Sequence, residues 1–393
     1  MIYLKYDHAF FDAGVSRVGT RSVKWDDPAH CRPGDLPLWV ADWDFRCAEP
    51  IVQALKDRAA HPCYGYPCSD PADQTAFCDY WQRRHQLAIR PDQTVLMPCV
   101  VTGIRQAVLT FTQPGDSVLI MTPLYPPFSD SIRRSERKIW DVPLHKQADA
   151  RYDIDFQGVE DALKRGVRMI LFCNPHNPVS RAWRREELAR LVALANAYGA
   201  LLVSDEIHAD FVYKPLKFIS MLSIPGAKDC TLMFTAASKT FNVPGLQQAT
   251  AVSFNKDLLK RFSDHMEMQG VVSGNVFALP ATQAAYTSCD DWLDGMLSYL
   301  EESRKILFDA LKEKLPEAVL SPIEATALSW IDLSAYDPDS ESINQKLRSH
   351  RVVLNPGTIF GRENGNGFMR LNFACPQASL LEGVDRMSRA LTK

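Results

Sequence analysis

The feature that most constrains the fold is a regular alternation of short apolar runs and amphipathic stretches between about residues 94 and 254. Several of the runs are apolar on both faces, as strands must be when helices cover both sides of a sheet. The clearest helical pattern is REELARLVALANAYG, in which leucines and alanines recur at helical spacing and Gly199 stands where a C-terminal cap belongs. The alternation predicts an α/β fold with a mainly parallel sheet built from seven strand candidates: TVLMPCVV, SVLIMT, KIWDVPL, VRMILFC, ALLVSD, CTLMFTAA and QATAVSF.

The length of 393 residues and a change in the pattern of apolar and helix-like stretches near residue 295 predict two domains. Beyond that point a helix-like stretch, LSYLEESRKILFDALKEKL, ends before Pro316, and short strand-like pieces (ALSWIDL, VVLNPG, GFMRLNF) precede a last helix from about Leu380. We therefore expect a large domain over residues 51–294 and a smaller α+β domain over residues 295–393. The Pro- and Trp-rich residues 1–50 are expected to pack with the small domain.

Composition and charge exclude several classes of function. The formal net charge of -3 gives no reason to expect nucleic acid or an anionic membrane as a partner. The N-terminus has no continuous apolar core of a signal peptide, and no apolar run is long enough to span a bilayer. The ten cysteines form no C-x-x-C pair and no His pair has metal-ligand spacing, so we predict no metal site and a cytoplasmic protein with reduced thiols.

Chemically useful side chains follow the strand candidates. Ligands of an open α/β sheet bind at the carboxyl ends of its strands. Asp205 follows ALLVS, Asn177 lies in the turn NPHNP, Tyr125 lies in TPLYPPF, and Lys239 follows CTLMFTAAS. Thr102 and Gly103 are interpreted as a helix start whose free N–H groups can hold an anion.

Each of these residues, taken alone, has a plain structural explanation: a helix cap or ion-pair partner for Asp205, a tight turn for Asn177, a common helix start for Gly103. Taken as a set, they fit pyridoxal phosphate. That cofactor needs an amine for a Schiff base, an acid for its ring nitrogen, an aromatic ring to stack on and donors for its phosphate.

The order of the motifs resembles that of the fold type I pyridoxal-phosphate enzymes: TGIRQAV, PLYPPF, CNPHNP, SDEIHAD, SKTFNVPG and FMRLNFACP. Near the N-terminus, FDAGVSRVGTRSVKWD, PLWVADWDF and YGYP are similar to the opening signature of the C–S β-lyases of the cystathionine β-lyase type, within the aminotransferase class I/II superfamily. The resemblance covers nearly the whole chain. It implies a large domain with a seven-stranded sheet beside a smaller α+β domain.

The resemblance implies how the cofactor ring would be held. Lys239 would form the Schiff base with the cofactor and later move the Cα proton, and Asp205 would pair with the pyridine nitrogen. Asn177 would bond the ring hydroxyl oxygen and help to hold the substrate carboxylate. Tyr125 would stack on the ring. His208 stands where many aminotransferases have Tyr; it is either a residue with proton chemistry or a hydrogen-bonded wall residue.

The resemblance also implies the phosphate and substrate contacts. Backbone N–H groups of Gly103, Ile104 and Arg105 would hold the phosphate, with the hydroxyl of Ser238. Tyr66 would reach the phosphate of the neighbouring subunit, which implies a homodimer with shared active sites. Arg370 would clamp the α-carboxylate of an amino-acid substrate, and the backbone around Ala41 would line the substrate side.

Two reactions remain open for such a site. A β-lyase would convert cystathionine, cysteine or S-substituted cysteines to a thiol, pyruvate and ammonia, whereas an aminotransferase would transfer the amino group. Typical class I aminotransferases carry Arg eight residues past the lysine; this chain has Gln247 there, which favours the lyase. Pro244 is an aminotransferase-like feature, and Ser180 replaces a common Gly. A third hypothesis is a regulatory binding scaffold.

Arg105 has two interpretations. Its side chain either lies near the phosphate and replaces the missing arginine, or faces solvent. The wall around the leaving group is expected to come from loops near residues 8–25, 270–280 and 355–362, and SGNVFAL at 273–279 either lies near the cofactor and the dimer interface or simply starts a helix.

Overall fold

The structure is a computed structural model that describes residues 5–271 and 274–392. Residues 5–85 contain four helices and one short strand: α1 (His8–Asp12), α2 (Val23–Asp26), β1 (Leu36–Pro37), α3 (Glu49–Ala60) and α4 (Pro71–His85). The central part alternates strands and helices: β2 (Thr94–Met97), α5 (Val100–Phe111), β3 (Ser117–Ile120), α6 (Pro126–Arg133), β4 (Lys138–Asp141), β5 (His145–Lys146), β6 (Tyr152–Asp153), α7 (Phe156–Lys164), β7 (Met169–Cys173), α8 (Arg185–Tyr198), β8 (Leu201–Asp205), β9 (Thr231–Thr235), α9 (Ala237–Thr240), β10 (Ala249–Val252) and α10 (Lys256–Met268).

The remaining elements are α11 (Ala278–Ser288), α12 (Asp290–Lys314), β11 (Val319–Leu320), β12 (Leu328–Asp332), α13 (Ser340–Ser349), β13 (Val352–Val353), β14 (Asn355–Pro356), β15 (Phe368–Asn372) and α14 (Gln377–Leu391). In the stretch SGNVFAL, Ser273 lies outside the described residues. Across the described ranges, none of the helices has both the length and the apolar character needed to cross a membrane.

The seven predicted strands form one sheet in the order β2-β10-β9-β8-β7-β3-β4. The pairs from β9 through β8, β7 and β3 to β4 are parallel, and β10 is antiparallel to both of its neighbours. The prediction of an α/β fold with a mainly parallel, seven-stranded sheet is confirmed. Its carboxyl edge is shared by β3, β7, β8 and β9, because parallel strands end on the same side.

Helices cover both faces of this sheet, as the doubly apolar strands require. Successive residues of β7 show the two sides: Ile170 belongs to the apolar cluster that includes α7 and α8, and Leu171 to the cluster that includes α5, α6 and α10. Leu191 of α8 is fully buried on its face. Burying one such side chain stabilises the fold by roughly 2 kcal/mol, so the covered sheet is a rigid support for the loops at its edge.

A second, antiparallel sheet has the order β11-β12-β15-β14. The N-terminal segment joins this part of the chain, since β1 pairs in parallel with β13 and Phe11 packs on Trp292 and Tyr299 of α12. The division at residues 294/295 stays a prediction, and helix α12 runs without a break through that point.

Three predicted boundaries differ from the structure. Strand β2 ends at Met97, four residues before the end of the predicted run. The final helix begins at Gln377 rather than near Leu380. The piece VVLNPG is divided into β13 and β14, because its two halves pair with different strands, β1 and β15.

Candidate active site

A cavity of about 190 Å³ opens at the carboxyl edge of the large sheet. The strands are in register there: Cys173 is paired with Asp205, and Asp205 with Phe234. The residues that follow these positions therefore converge. Seven of the predicted site residues line the cavity: Ala41, Tyr125, Asn177, Asp205, His208, Ser238 and Lys239.

Lys239 is placed by the short helix α9, which begins two residues after β9 ends. Its Nζ donates a hydrogen bond to the carbonyl oxygen of Ala41. Burial lowers the pKa of the amine to about 8; the nearby carboxylates of Asp42 and Asp205 raise it, and the charge of Arg370 lowers it. A neutral amine is therefore accessible near neutral pH, and a neutral amine can act as a nucleophile or a base.

Asp205 is the last residue of β8 and is buried. Its Oδ1 accepts one hydrogen bond, from the N–H of Ile207 at 3.1 Å. Burial raises the pKa of the carboxyl to about 7, and the Lys239 charge lowers it only in part. A buried carboxylate on a cavity wall with so little compensation is suited to a cationic partner inside the cavity.

Asn177, in the turn after β7 of the large sheet, meets Arg370 of the second sheet. Arg370 lies in β15 and donates from Nη1 to Oδ1 of Asn177 at 3.0 Å. Its Nη2 donates to the carbonyl of Trp39 at 2.8 Å and to Asn355 Oδ1 at 2.7 Å, and the guanidinium lies 4.7 Å from the ring centre of Phe360. Because Asn177 uses its oxygen for Arg370, its Nδ2 donor is left for a group in the cavity.

His208 and Tyr125 are wall residues of the cavity. Burial lowers the pKa of His208 to about 3, and the charges of Lys239 and Arg370 lower it further. This favours a neutral imidazole. Its buried Nδ1 has no hydrogen-bond partner among the described residues, so both interpretations of His208 stay predictions. Burial raises the pKa of the Tyr125 hydroxyl, so the ring presents a protonated phenol and an aromatic face.

The predicted helix start at Gly103, Ile104 and Arg105 is wrong. Helix α5 begins at Val100, and the N–H of Gly103 is already bonded to the carbonyl of Cys99 at 3.0 Å. Gly103 instead allows close packing, since a Cβ there would lie 2.4 Å from the Met97 sulfur. Ile104 is fully buried in the core.

The N–H groups of Val100 and Val101 precede the first helical hydrogen bond, and both residues line the cavity. Free N–H groups at a helix start are suited to an anion, so the N–H groups that the sequence analysis placed at residues 103–105 lie instead at Val100 and Val101. The overlooked signal is Pro98: a proline cannot donate to a sheet ladder, so the run TVLMPCVV had to leave the sheet there.

Arg105 and Tyr66 are not among the residues that line the cavity. Arg105 is half-buried rather than solvent-facing, and its Nε has no hydrogen-bond partner among the described residues. Tyr66 is fully exposed. Gln247, in contrast, lies on the cavity wall, in a left-handed conformation with φ of 53°.

The donors and acceptors of the cavity fit pyridoxal phosphate. Asp205 offers a buried carboxylate for a ring nitrogen, Lys239 an amine for the aldehyde, and Asn177 an amide donor for the ring hydroxyl oxygen. At the opposite end, the first N–H groups of α5 and the Ser238 hydroxyl suit a phosphate dianion. These unmet polar groups face one cavity, which explains why the fold tolerates them.

Comparisons with known proteins agree with this chemistry. Residues 37–387 match the family described as Aminotransferase class I and II. Cystathionine beta-lyase PatB of Bacillus subtilis (strain 168) is 37% identical over 387 residues, which cover 97% of this chain and 100% of that protein. The structure is similar to cystalysin from Treponema denticola, which contains a pyridoxal 5'-phosphate cofactor, with a TM-score of 0.92, 31% identity and coverage of 96% and 98% of the two chains.

It is also similar to the PLP-bound C-S lyase from Staphylococcus hominis, with a TM-score of 0.89, 28% identity and coverage of 98% of each chain. The chain therefore belongs to the aminotransferase class I and II family of pyridoxal-phosphate-dependent enzymes and, within it, to the C–S lyases of the cystathionine β-lyase type.

Proposed function

We propose that this protein catalyses β-elimination from cystathionine, cysteine or S-substituted cysteines, giving a thiol, pyruvate and ammonia. The observation that carries the proposal is Gln247 on the cavity wall. Its Nε2 donates to the carbonyl of Pro244 at 3.1 Å, so this position offers an uncharged amide where a typical class I aminotransferase has a cation. The full-length similarity to PatB supports the same reaction.

Pyridoxal phosphate, when bound, supplies a carbonyl carbon that captures the substrate amine and a ring that accepts the electron pair released at Cα. Asp205 holds a proton on the ring nitrogen by charge pairing. Lys239 would hold the cofactor through its amine, and the same amine, when neutral, would remove the Cα proton of the substrate. The low pKa of Lys239 serves both tasks, because a protonated amine can do neither.

The substrate is oriented by the α-carboxylate. Arg370 binds it through a guanidinium already held in plane by Trp39 and Asn355, and Asn177 assists. Ala41 borders the site from the substrate side, and Tyr125 stacks on the ring. The first N–H groups of α5 and the hydroxyl of Ser238 hold the phosphate.

In the elimination, the Cα–H and Cβ–S bonds break. The sulfur leaves with the bonding electrons and takes up a proton, which Lys239 is placed to return. The remaining three-carbon fragment takes up one water molecule and departs as pyruvate and ammonia, so atoms and electrons balance without an external oxidant.

We further propose a cytoplasmic homodimer with shared active sites. Its support is the exposed aromatic loop around YGYP, where Tyr66 is fully exposed and Tyr64 is 57% exposed. Tyr64 lies 5.6 Å from the ring of Phe277, so this loop and the start of α11 form one apolar surface. All ten cysteines are free thiols, which suits a reducing compartment.

The reaction is tested by incubating the purified protein with cystathionine in the absence of any keto acid. Pyruvate and thiol in equal amounts are expected. Turnover that requires an added keto acid would make the protein an aminotransferase, and cofactor binding without turnover would favour a scaffold. Lys239→Ala is the control: it should lose the covalent, borohydride-reducible attachment and both activities.

A further inference from the structure

Two N-terminal motifs place four charged side chains in one group, of which Lys24 and Asp44 are buried and Arg17 and Asp42 partly buried. FDAGVSRVGTRSVKWD supplies the cations and PLWVADWDF supplies the carboxylates of this N-terminal ion cluster, which consists of Arg17, Lys24, Asp42 and Asp44. These motifs carry the resemblance to the β-lyases, but the reaction described above gives their charged residues no role.

The cluster is closed by short contacts. Arg17 donates two parallel hydrogen bonds to Asp42, with Nη1–Oδ1 and Nη2–Oδ2 distances of 2.8 and 2.7 Å, and a third hydrogen bond to Asp44 at 3.2 Å. Lys24 is fully buried, 2.8 Å from an Asp44 oxygen. Two cations balance two carboxylates, so the neutralisation of one member leaves a buried charge without compensation.

The cluster connects to Lys239 through Ala41, the residue that directly precedes Asp42. The carbonyl oxygens of Val40 and Asp42 accept hydrogen bonds from Asn372 at 2.6 and 2.8 Å, and Lys24 also donates to the Asp42 carbonyl at 3.2 Å. The Ala41 carbonyl, which accepts from the Lys239 amine, is thus fixed on both sides.

The same segment holds the backbone of the lysine. Trp43 donates from Nε1 to the carbonyl oxygen of Lys239 at 2.7 Å. Asn242, three residues past the lysine, accepts from the Trp43 N–H at 3.0 Å and donates to its carbonyl at 2.9 Å. Both the main chain and the amine of Lys239 therefore rest against residues 41–43.

We propose that the N-terminal ion cluster is a positioning device for Lys239: it holds the Ala41 carbonyl against the amine and fixes the Asp42 carboxylate, clamped by Arg17, as the negative charge that controls when the amine carries a proton. This inference rests on the proposed function in assigning Lys239 the work of a base. It gives the opening signature a chemical purpose, because a donated N–H directs the lone pair of the neutral amine away from Ala41.

Three elements present four titratable or charged groups to the amine. Asp42 comes from the N-terminal segment, Asp205 and the uncharged His208 from the end of β8, and Arg370 from β15. Burial lowers the pKa of Lys239, Asp42 and Asp205 raise it, and Arg370 lowers it. Changes in the cluster should therefore move the pKa in a direction set by which charge is removed.

The paired members Asp42 and Arg17 predict opposite shifts. Asp42→Asn removes a negative charge and leaves Arg17 with only its contact to Asp44 at 3.2 Å, so the pKa of Lys239 should fall by roughly half to one unit. Arg17→Met leaves Asp42 with only Lys24, 3.8 Å away, so the pKa should rise by a similar amount. The double variant should return toward the wild-type value, and Arg17→Lys, which keeps the charge, should rescue the single loss.

The test uses full-length, cofactor-free protein. Competitive acetylation of Lys239 as a function of pH, read by peptide mass spectrometry, gives the pKa of the amine without any turnover. Arg32→Met, which removes an exposed arginine of the same segment, is the matched control and should leave the pKa unchanged. Opposite shifts in the two cluster variants support the proposal.

Shifts of the same sign, or unchanged values accompanied by a lower melting temperature, would show a merely structural cluster and overturn it. If Arg17→Met does not fold, Arg17→Lys and Asp42→Asn decide: a fall confined to Asp42→Asn supports the proposal, and no fall overturns it. Failure of the proposed function looks different. Borohydride would then not attach the cofactor to wild-type Lys239, whatever the acetylation profile.

Discussion

Replacing Asp205 by Asn should stabilise the cofactor-free protein at alkaline pH while weakening the stabilisation that the cofactor provides. The carboxyl is buried and accepts a single N–H, from Ile207. Asn has an oxygen that can accept the same hydrogen bond from Ile207 and a similar volume, but it carries no charge. The cofactor-free fold therefore loses a desolvation penalty, and the loaded protein loses the partner of the ring nitrogen.

The magnitude follows from the pKa. Burial raises the pKa of Asp205 from 3.8 to about 7. At 1.4 kcal/mol per pH unit, the ionised carboxylate destabilises the cofactor-free fold by about 4 kcal/mol above that range. The pKa of Asp205 is higher in the folded than in the unfolded chain, so the unfolded chain ionises first as the pH rises. The stability that the protonated carboxyl allows is therefore fully present below the unfolded pKa and is lost as the pH rises through the folded pKa. At pH 5 the penalty is less than half of its full value.

Urea unfolding of both proteins, with and without cofactor, at pH 5 and pH 8 measures these differences. Glu206→Gln is the matched control. Glu206 is also buried with its pKa raised to about 7, but its Oε1 accepts from Met221 N–H and Ser204 and it does not line the cavity. Its substitution should stabilise both forms of the protein equally. An Asp205→Asn protein that is less stable than wild type at pH 8 without cofactor, or whose gain is equal at both pH values, would refute the reasoning.

Two further substitutions test other parts of the site, and a third tests the strained turn position of Ser180. Arg370→Lys keeps the positive charge but cannot bind a carboxylate through two parallel hydrogen bonds. In steady-state assays KM should therefore rise by about two orders of magnitude, with a smaller change in kcat. An unchanged KM would show that Arg370 does not bind the substrate. Val100→Pro removes one N–H at the first position of α5, where proline is tolerated because Cys99 before it is extended. The affinity for the cofactor should be about tenfold weaker than that of Val100→Ala. Equal affinities would exclude this helix end from phosphate binding. Ser180 has φ of 58° and donates to the Leu328 carbonyl at 2.5 Å. Ser180→Ala should therefore cost about 2 kcal/mol in urea unfolding and Ser180→Gly about 1 kcal/mol less, because only glycine relieves the strain; equal losses would contradict this.

The parts of the fold that were predictable are those encoded by local patterns. The seven strands were recognisable because each is a continuous apolar run between turn residues, and Lys239, Asp205 and Asn177 could be placed together because they follow strands that end at one edge. The start of α5 was misplaced because apolar residues on either side of Pro98 suggested one uninterrupted strand.

The N-terminal contacts were not predictable, because they join distant positions without any periodic pattern. Lys24 and Asp44 are paired across a segment with little regular structure, and Asn372 bonds to residues near the opposite end of the chain. Nothing in the composition of the opening signature distinguishes a buried ion cluster from a solvated charged surface. The proposed role of Tyr66 concerns the active site of a second copy of the chain, so the residue pattern of a single chain cannot predict it.

The contacts of Arg370 have a consequence for the order in which the protein matures on the ribosome. Its guanidinium bonds to Asn177, 193 positions away, and to the Trp39 carbonyl, 331 positions away. Such long loops close slowly and only after the later partner has emerged. The strand ends that suit the cofactor are translated well before residue 370. The proposed recognition of the amino-acid carboxylate by Arg370 can therefore arise only after the strand ends that suit the cofactor have been translated.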